Sequence, residues 1–125
     1  MSEQPSTTPL AAEGLTAERV GDAVYDAIRQ CAVTLRPDFQ RAVEAAREEA
    51  VPESREAGVL DRILENARIG VTDGVPICQD TGMACVFVEL GQDVHIEGDF
   101  EQAVHEGVRR GYGEGYLRKS IVGDP

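Results

Sequence analysis

Apolar residues recur at helical spacing in the first half of the chain and predict two amphipathic helices there. The first is expected to begin after Thr16, whose hydroxyl makes it a favourable N-cap. Its apolar positions lie three or four residues apart, which places Cys31 on the buried side. They are Val20, Val24, Ala27, Ile28, Cys31 and Leu35. A second helix is expected from Pro37 until Pro52 stops it, because proline suits a first helical turn and disrupts an interior.

The second half of the chain predicts two more helices and a small sheet. Helical spacing continues from about residue 56 to residue 68, and a turn-rich connection is expected over residues 69–76. Residues 84–90, ACVFVEL, are short, apolar and β-branched, which predicts a buried strand paired with residues 94–96 in a hairpin. Asp99 is a good N-cap for the last helix. Helices followed by a small sheet and a further helix predict an α+β fold.

Length and composition predict one folded domain. A chain of 125 residues, 42% of them hydrophobic, can form a real core. We expect a flexible tail over residues 1–14 and the domain over residues 15–125. The tail is not expected to be a signal peptide, because it lacks the basic and apolar regions of one. No stretch is long and apolar enough to span a membrane. The sequence therefore indicates a cytoplasmic protein.

The charge and the cysteines narrow the function. With 23 acidic and 12 basic residues the net charge is −11, which argues against a nucleic-acid partner because phosphate binding needs clustered positive charge. The three cysteines, Cys31, Cys78 and Cys85, form no C-x-x-C pair. In a reducing compartment they are expected to be thiols or metal ligands.

The heptapeptide PICQDTG, residues 76–82, concentrates reactive groups in one bend. Cys78 offers a thiolate that iron or zinc would bind, Gln79 can hydrogen-bond a substrate carboxylate, and Asp80 can move protons. Gly82 permits an unusual backbone dihedral. Residue types alone leave two interpretations: a reactive site, or a turn whose polar side chains only satisfy the backbone.

Asp80, Thr81 and Gly82 also spell the signature of aspartic proteases, in which two such loops share one proton between their aspartates. That class is almost entirely β, and its signature normally follows an apolar run. The helices predicted upstream and the Cys78-Gln79 pair before the signature disfavour this interpretation.

Several separated blocks together favour the reactive site. They are Asn66-Ala67, the heptapeptide PICQDTG, the stretch ACVFVEL, AVHEGVRRGY at residues 103–112 and YLRKSIVGDP at residues 116–125. In order and spacing these blocks resemble the N-terminal domain of class I, iron–sulfur-dependent fumarate hydratases and the related tartrate dehydratases. The resemblance covers about residues 15–125.

The resemblance implies a hydro-lyase that hydrates a four-carbon dicarboxylate such as fumarate to malate, a step of the tricarboxylic acid cycle, with tartrate as a second candidate substrate. Cys78 matches the cysteine that binds one iron of a [4Fe-4S] cluster. Gln79 matches a substrate-carboxylate contact, and Asp80 matches the residue proposed as the catalytic acid. In that family the other two cluster cysteines lie further along the chain, beyond the position that corresponds to residue 125.

The remaining cysteines are not expected to replace those ligands. We expect both to be small apolar residues of the core, Cys31 on the apolar stripe of a helix and Cys85 in a buried strand. The expectation is therefore a fragment, a truncated product, or a subunit in a homo-oligomer or with a partner chain that supplies the missing ligands. A non-catalytic remnant that binds a partner chain is the alternative.

Other polar or glycine-rich features predict no chemistry. His95 and His105 have no ligand-spaced partner and are expected to be structural or surface residues. The glycines after residue 110 do not spell G-x-G-x-x-G, which disfavours a dinucleotide loop. Arg118 and Ser120 lie in a block that resembles the family, and we assign them no catalytic role.

Overall fold

The computed structural model of the chain describes residues 14–78 and 82–121, and four helices lie within these ranges. In chain order they are α1 (Ala17–Val33), α2 (Pro37–Glu49), α3 (Arg55–Asp73) and α4 (Phe100–Glu114). Side chains cap two of them as predicted. The Arg19 backbone N–H donates to Thr16 Oγ1 at 3.3 Å, and the Gln102 backbone N–H donates to Asp99 Oδ1 at 2.9 Å.

Helix α3 is longer than the sequence predicted. It begins after Ser54, whose Oγ accepts from the Ala57 backbone N–H at 3.1 Å, a cap that the periodicity did not reveal. It continues to Asp73, so the turn-rich connection predicted over residues 69–76 is wrong for its first part. Gly74 ends the helix with a φ of 65°, the left-handed conformation that glycine adopts at low cost.

The helices pack chiefly as two pairs, α1 against α4 and α2 against α3, and α1 also touches α3. The most buried apolar side chains are small or medium in size, and none of the large ones in the described residues is fully enclosed. They are Leu15, Val20, Val43, Ala50, Ala57, Ala67 and Leu117. None of the four helices is long and apolar enough to cross a membrane.

Glycine allows α1 and α4 to approach each other closely. Gly107 on α4 is buried against α1, and a Cβ placed on it would lie 2.4 Å from the Gly21 carbonyl oxygen and 2.9 Å from Val24 Cβ. Both distances are shorter than real carbon contacts allow, so a side chain at position 107 would have to separate the two helices.

Polar groups fasten the rim of the same helix pair. Tyr25 Oη donates to Glu114 Oε2 at 2.7 Å, and Arg110 donates to Asp22 Oδ1 at 2.8 Å. The Arg110 guanidinium also lies 4.6 Å from the centre of the Tyr25 ring. The hydrogen bond to the Glu114 carboxylate raises the pKa of Tyr25, because the carboxylate holds the phenolic proton.

The predicted small sheet is wrong, and the fold of the described residues is helical instead of α+β. Residues 82–90 form neither helix, turn nor bend, and they form no ladder with residues 94–96. The Val94 N–H instead closes a turn on the Gly91 carbonyl at 3.1 Å. A strand is stable only when a neighbouring strand takes up its backbone hydrogen bonds, and the described residues provide none.

The described residues contain one isolated β-bridge, close to the start of α4. It pairs Thr16 with Glu97: the Glu97 N–H donates to the Leu15 carbonyl at 3.0 Å, and the Ala17 N–H donates to the Glu97 carbonyl at 2.7 Å. This bridge ties the start of α1 to the chain just before α4. The apolar residues 84–90, which were predicted to be buried, are largely exposed to solvent. Phe87, for example, is 94% exposed.

Candidate functional site

The PICQDTG motif is held at its second residue, Ile77, by three contacts. The Ile77 N–H donates to the Ala32 carbonyl in α1 at 2.9 Å. The Ile77 carbonyl accepts from Asn66 Nδ2 in α3 at 3.0 Å. Its side chain lies over Gly70, where an added Cβ would be 2.9 Å from Ile77 Cγ1. Two helices therefore fix the residue that immediately precedes Cys78.

Cys78 is exposed and lies at an apolar groove of about 850 Å³. One part of its lining is the face of α1 that carries Val24 and Ile28, together with Leu35 just beyond the helix end, and Phe87 also lines the groove. The helical spacing of the α1 side chains predicted this apolar face. It is covered less than predicted because residues 82–90 do not form a packed strand over it.

The other two predicted site residues cannot be placed. Gln79 and Asp80 lie outside the described residues, so their predicted roles stay predictions. The chain is described again from Gly82, whose φ of 58° confirms the unusual dihedral expected there.

The burial predicted for the other two cysteines is wrong. Cys31 and Cys85 are both exposed and line the same groove as Cys78. Even so, no three His, Cys, Asp or Glu side chains in residues 14–78 and 82–121 are placed to hold a metal ion. An exposed thiol at Cys78 fits a single iron ligand, because thiolate is a preferred donor for iron. The described residues do not complete a cluster site around it.

The described lining of this groove is uncharged. It contains no Asp, Glu, Lys or Arg side chain. The carboxyl groups with a clearly lowered pKa each hydrogen-bond an arginine on the helix surfaces: Asp38 with Arg36, Asp61 with Arg47, and Glu65 with Arg68. A dicarboxylate would therefore need cationic or amide groups beyond those that line the groove.

The residues assigned no chemistry lie on the surface. His105 is exposed, with its Nε2 3.7 Å from a Glu101 carboxylate oxygen one helical turn away, and His95 is exposed as well. Arg118 and Ser120 are also exposed. Gly111 and Gly113 belong to α4 itself, so no dinucleotide-binding loop forms at these glycines.

The role of Asn66 as a contact to the motif was missed by reasoning from residue types. A signal was available, because asparagine is a weak helix former and sits in the interior of α3 beside the apolar stripe. An asparagine in a helix interior often makes a side-chain hydrogen bond that compensates for its low helix propensity.

Comparisons with known proteins cover most of the described helices and the motif. The family model described as Fumarate hydratase (Fumerase) matches residues 21–125. A Methanocaldococcus jannaschii protein with the provisional name L(+)-tartrate dehydratase subunit alpha is 30% identical over an alignment of 106 residues, which covers 83% of this chain and 37% of that protein.

Two enzymes of Escherichia coli strain K12 are also similar. The anaerobic and the aerobic class I fumarate hydratases are each 32% identical over 94 residues, which are 75% of this chain and 17% of each enzyme. The chain thus spans little more than a third of the first relative and about a sixth of the two enzymes.

Proposed function

The chain belongs to the fumarate hydratase (fumerase) family. From this we propose that it is part of an iron–sulfur hydro-lyase that acts on a four-carbon dicarboxylate. The observation that carries the proposal is Cys78, an exposed thiol that follows the tightly held Ile77 within the matched residues. Fumarate and malate are the proposed substrate pair, because two of the relatives named above are fumarate hydratases.

In this proposal the three motif residues divide the work. Cys78 would bind one iron of a [4Fe-4S] cluster, and Gln79 would hydrogen-bond a substrate carboxylate through its amide. Asp80 would act as the catalytic acid and protonate the departing hydroxyl, so that it leaves as water. When bound, such a cluster supplies an iron without a protein thiolate that acts as a Lewis acid. The remaining cluster ligands would come from outside the described residues.

Replacing Cys78 with serine tests this assignment. The chain is co-produced with candidate partner polypeptides and loaded anaerobically with iron and sulfide. We expect a brown protein with broad visible absorption, and we expect Cys78→Ser to lose most of its iron because a hydroxyl is a poor substitute for thiolate. Iron content and the absorption spectrum are measured on the same samples.

Cys31→Ser and Cys85→Ser are the matched controls, since both thiols line the same groove. They should keep the iron. If the complex stays colourless with every partner, or if all three variants lose iron equally, the proposed ligand is wrong. A colourless chain that still binds a partner would favour a non-catalytic, partner-binding function.

Tartrate dehydration is a second candidate, favoured by the M. jannaschii relative that covers 83% of this chain. Tartrate carries one hydroxyl more than malate, and a site that hydrogen-bonds this group rejects substrates without it. Assaying the iron-loaded complex with malate and with L(+)-tartrate, each at several concentrations, decides between them through kcat/KM.

We also propose a partner chain or a further copy of this chain in the working assembly. The name of the M. jannaschii relative includes the words subunit alpha. Residues 84–90 support the proposal, because they expose apolar side chains and form no ladder within the described residues. A partner strand would take up these backbone groups and cover the side chains.

Phe87→Asp is expected to weaken that association without unfolding the chain. Phe87 is 94% exposed, so its loss removes little packing from this chain, whereas a buried aromatic at an interface contributes about 2 kcal/mol or more. Affinity for the co-purifying partner, measured by titration, should fall about 30-fold or more. Phe39→Asp on α2, where the ring is 52% exposed, is the control and should bind normally. Equal weakening by both variants would contradict this interface.

A further inference from the structure

We infer that Asn66 is a positioning residue for Cys78, an inference that rests on the proposed function for the role of Cys78 but not for the contact itself. Asn66 Nδ2 donates to the Ile77 carbonyl at 3.0 Å from the neighbouring helix α3. No role in the motif is otherwise assigned to this side chain.

Peptide planarity carries the effect from Asn66 to Cys78. The Ile77 carbonyl belongs to the peptide unit that contains the backbone nitrogen and Cα of Cys78. Because that unit is rigid and planar, fixing its oxygen also fixes the direction in which Cys78 leaves Ile77. The hydrogen bond therefore acts on the orientation of Cys78 directly.

The other two contacts of Ile77 act on different groups from the Asn66 contact. The Ile77 N–H is held by the Ala32 carbonyl at 2.9 Å, and its side chain lies on Gly70. These contacts fix the peptide unit before Ile77 and the side chain. The following peptide unit, which links Ile77 to Cys78, has its carbonyl held by Asn66.

Orientation matters because a ligand that is already ordered loses less freedom when a metal binds. The structure thus assigns to Asn66 the placement of the Cys78 backbone nitrogen and Cα, from which the thiol extends. Asn66 itself would touch neither iron nor substrate.

Asn66→Asp and Asn66→Gln separate hydrogen bonding from packing. Aspartate matches asparagine in size, but an ionised carboxylate has no donor for the Ile77 carbonyl, whereas glutamine keeps the donor on a longer side chain. If the hydrogen bond orients Cys78, Asn66→Asp should be the more harmful substitution. If only the size of the side chain matters, Asn66→Gln should be the more harmful one.

The test measures amide hydrogen exchange and the ¹⁵N heteronuclear NOE at Ile77 and Cys78 in the metal-free 125-residue chain. We expect Asn66→Asp to speed exchange at Ile77 about fivefold and to lower the NOE at Cys78, with Asn66→Gln close to the wild type. Arg62→Ala, one turn earlier on α3, is the control and should change neither value. The inference is overturned if Asp behaves as wild type, or if Gln is the more harmful of the two.

Iron release to a chelator, measured in the loaded complex, then tests the link to function. Asn66→Asp should release iron several-fold faster than Asn66→Gln. A wild-type complex that never holds iron would refute the proposed function, while the exchange and NOE data would still decide whether Asn66 orients Cys78. Fast exchange with unchanged iron release would refute the role of Asn66 in iron binding.

Discussion

Changing Asp80 to asparagine is expected to lower the turnover of the iron-loaded complex about 100- to 10,000-fold, the usual contribution of a general acid. Asparagine has nearly the same size but no proton to give to a departing hydroxyl. Only Gln79 lies between Cys78 and Asp80 in the sequence, so covalent geometry keeps the Cα atoms of Cys78 and Asp80 within about 7 Å. Steady-state assays with fumarate and malate give kcat and KM for both directions.

The iron content of this variant must match the wild type, because the prediction concerns proton transfer and not cofactor binding. Asp73→Asn, a change of the same kind at the end of α3, is the control and should retain full turnover. An Asp80→Asn protein with nearly wild-type kcat would remove Asp80 from the mechanism. A variant that loses its iron would instead show that Asp80 helps to form the site.

Gly107→Ala is expected to destabilise the chain by about 2 kcal/mol or more, or to prevent α4 from docking on α1. The added methyl would lie 2.4 Å from the Gly21 carbonyl oxygen, and backbone atoms of a packed helix cannot move aside as a flexible side chain can. Denaturant unfolding followed by circular dichroism measures the loss as a change in midpoint at constant slope.

Gly113→Ala is the matched control on the same helix. Nothing lies within 4 Å of a Cβ placed at Gly113, and alanine favours helix over glycine by up to about 1 kcal/mol. This variant should be as stable as the wild type or more so. Equal stability of the two alanine variants would show that α1 and α4 do not pack through Gly107.

Helices were predictable from the sequence because their signals are local. Periodicity and the capping residues Thr16 and Asp99 lie within a few residues of the turns that they specify, and both caps are confirmed. The end of α3 was placed too early. A left-handed glycine such as Gly74 marks a helix end more reliably than a loss of apolar spacing does.

The sheet could not be judged from the same kind of signal. ACVFVEL has the composition of a strand, but a strand depends on a partner strand, and partner strands occur at any distance along the sequence or on another chain. The burial predicted for Cys85 depended on this strand and is wrong with it, whereas the burial predicted for Cys31 depended on the apolar stripe of α1 and is wrong because that face borders an open groove. The motif was selected from residue types together with the resemblance, and the roles of its residues stay predictions, whereas the Asn66 contact required coordinates.

The pairing of α1 with α4 also determines the order in which the molecule can assemble. Tyr25 and Glu114, which join these helices, are 89 residues apart, whereas α2 and α3 are neighbours joined by a short turn. The α2–α3 hairpin can therefore close early at a small entropic cost, and the α1–α4 contact must wait for a large loop to close. On the ribosome, α1 would emerge long before its partner is synthesised, and its apolar face would be available to chaperones during that interval.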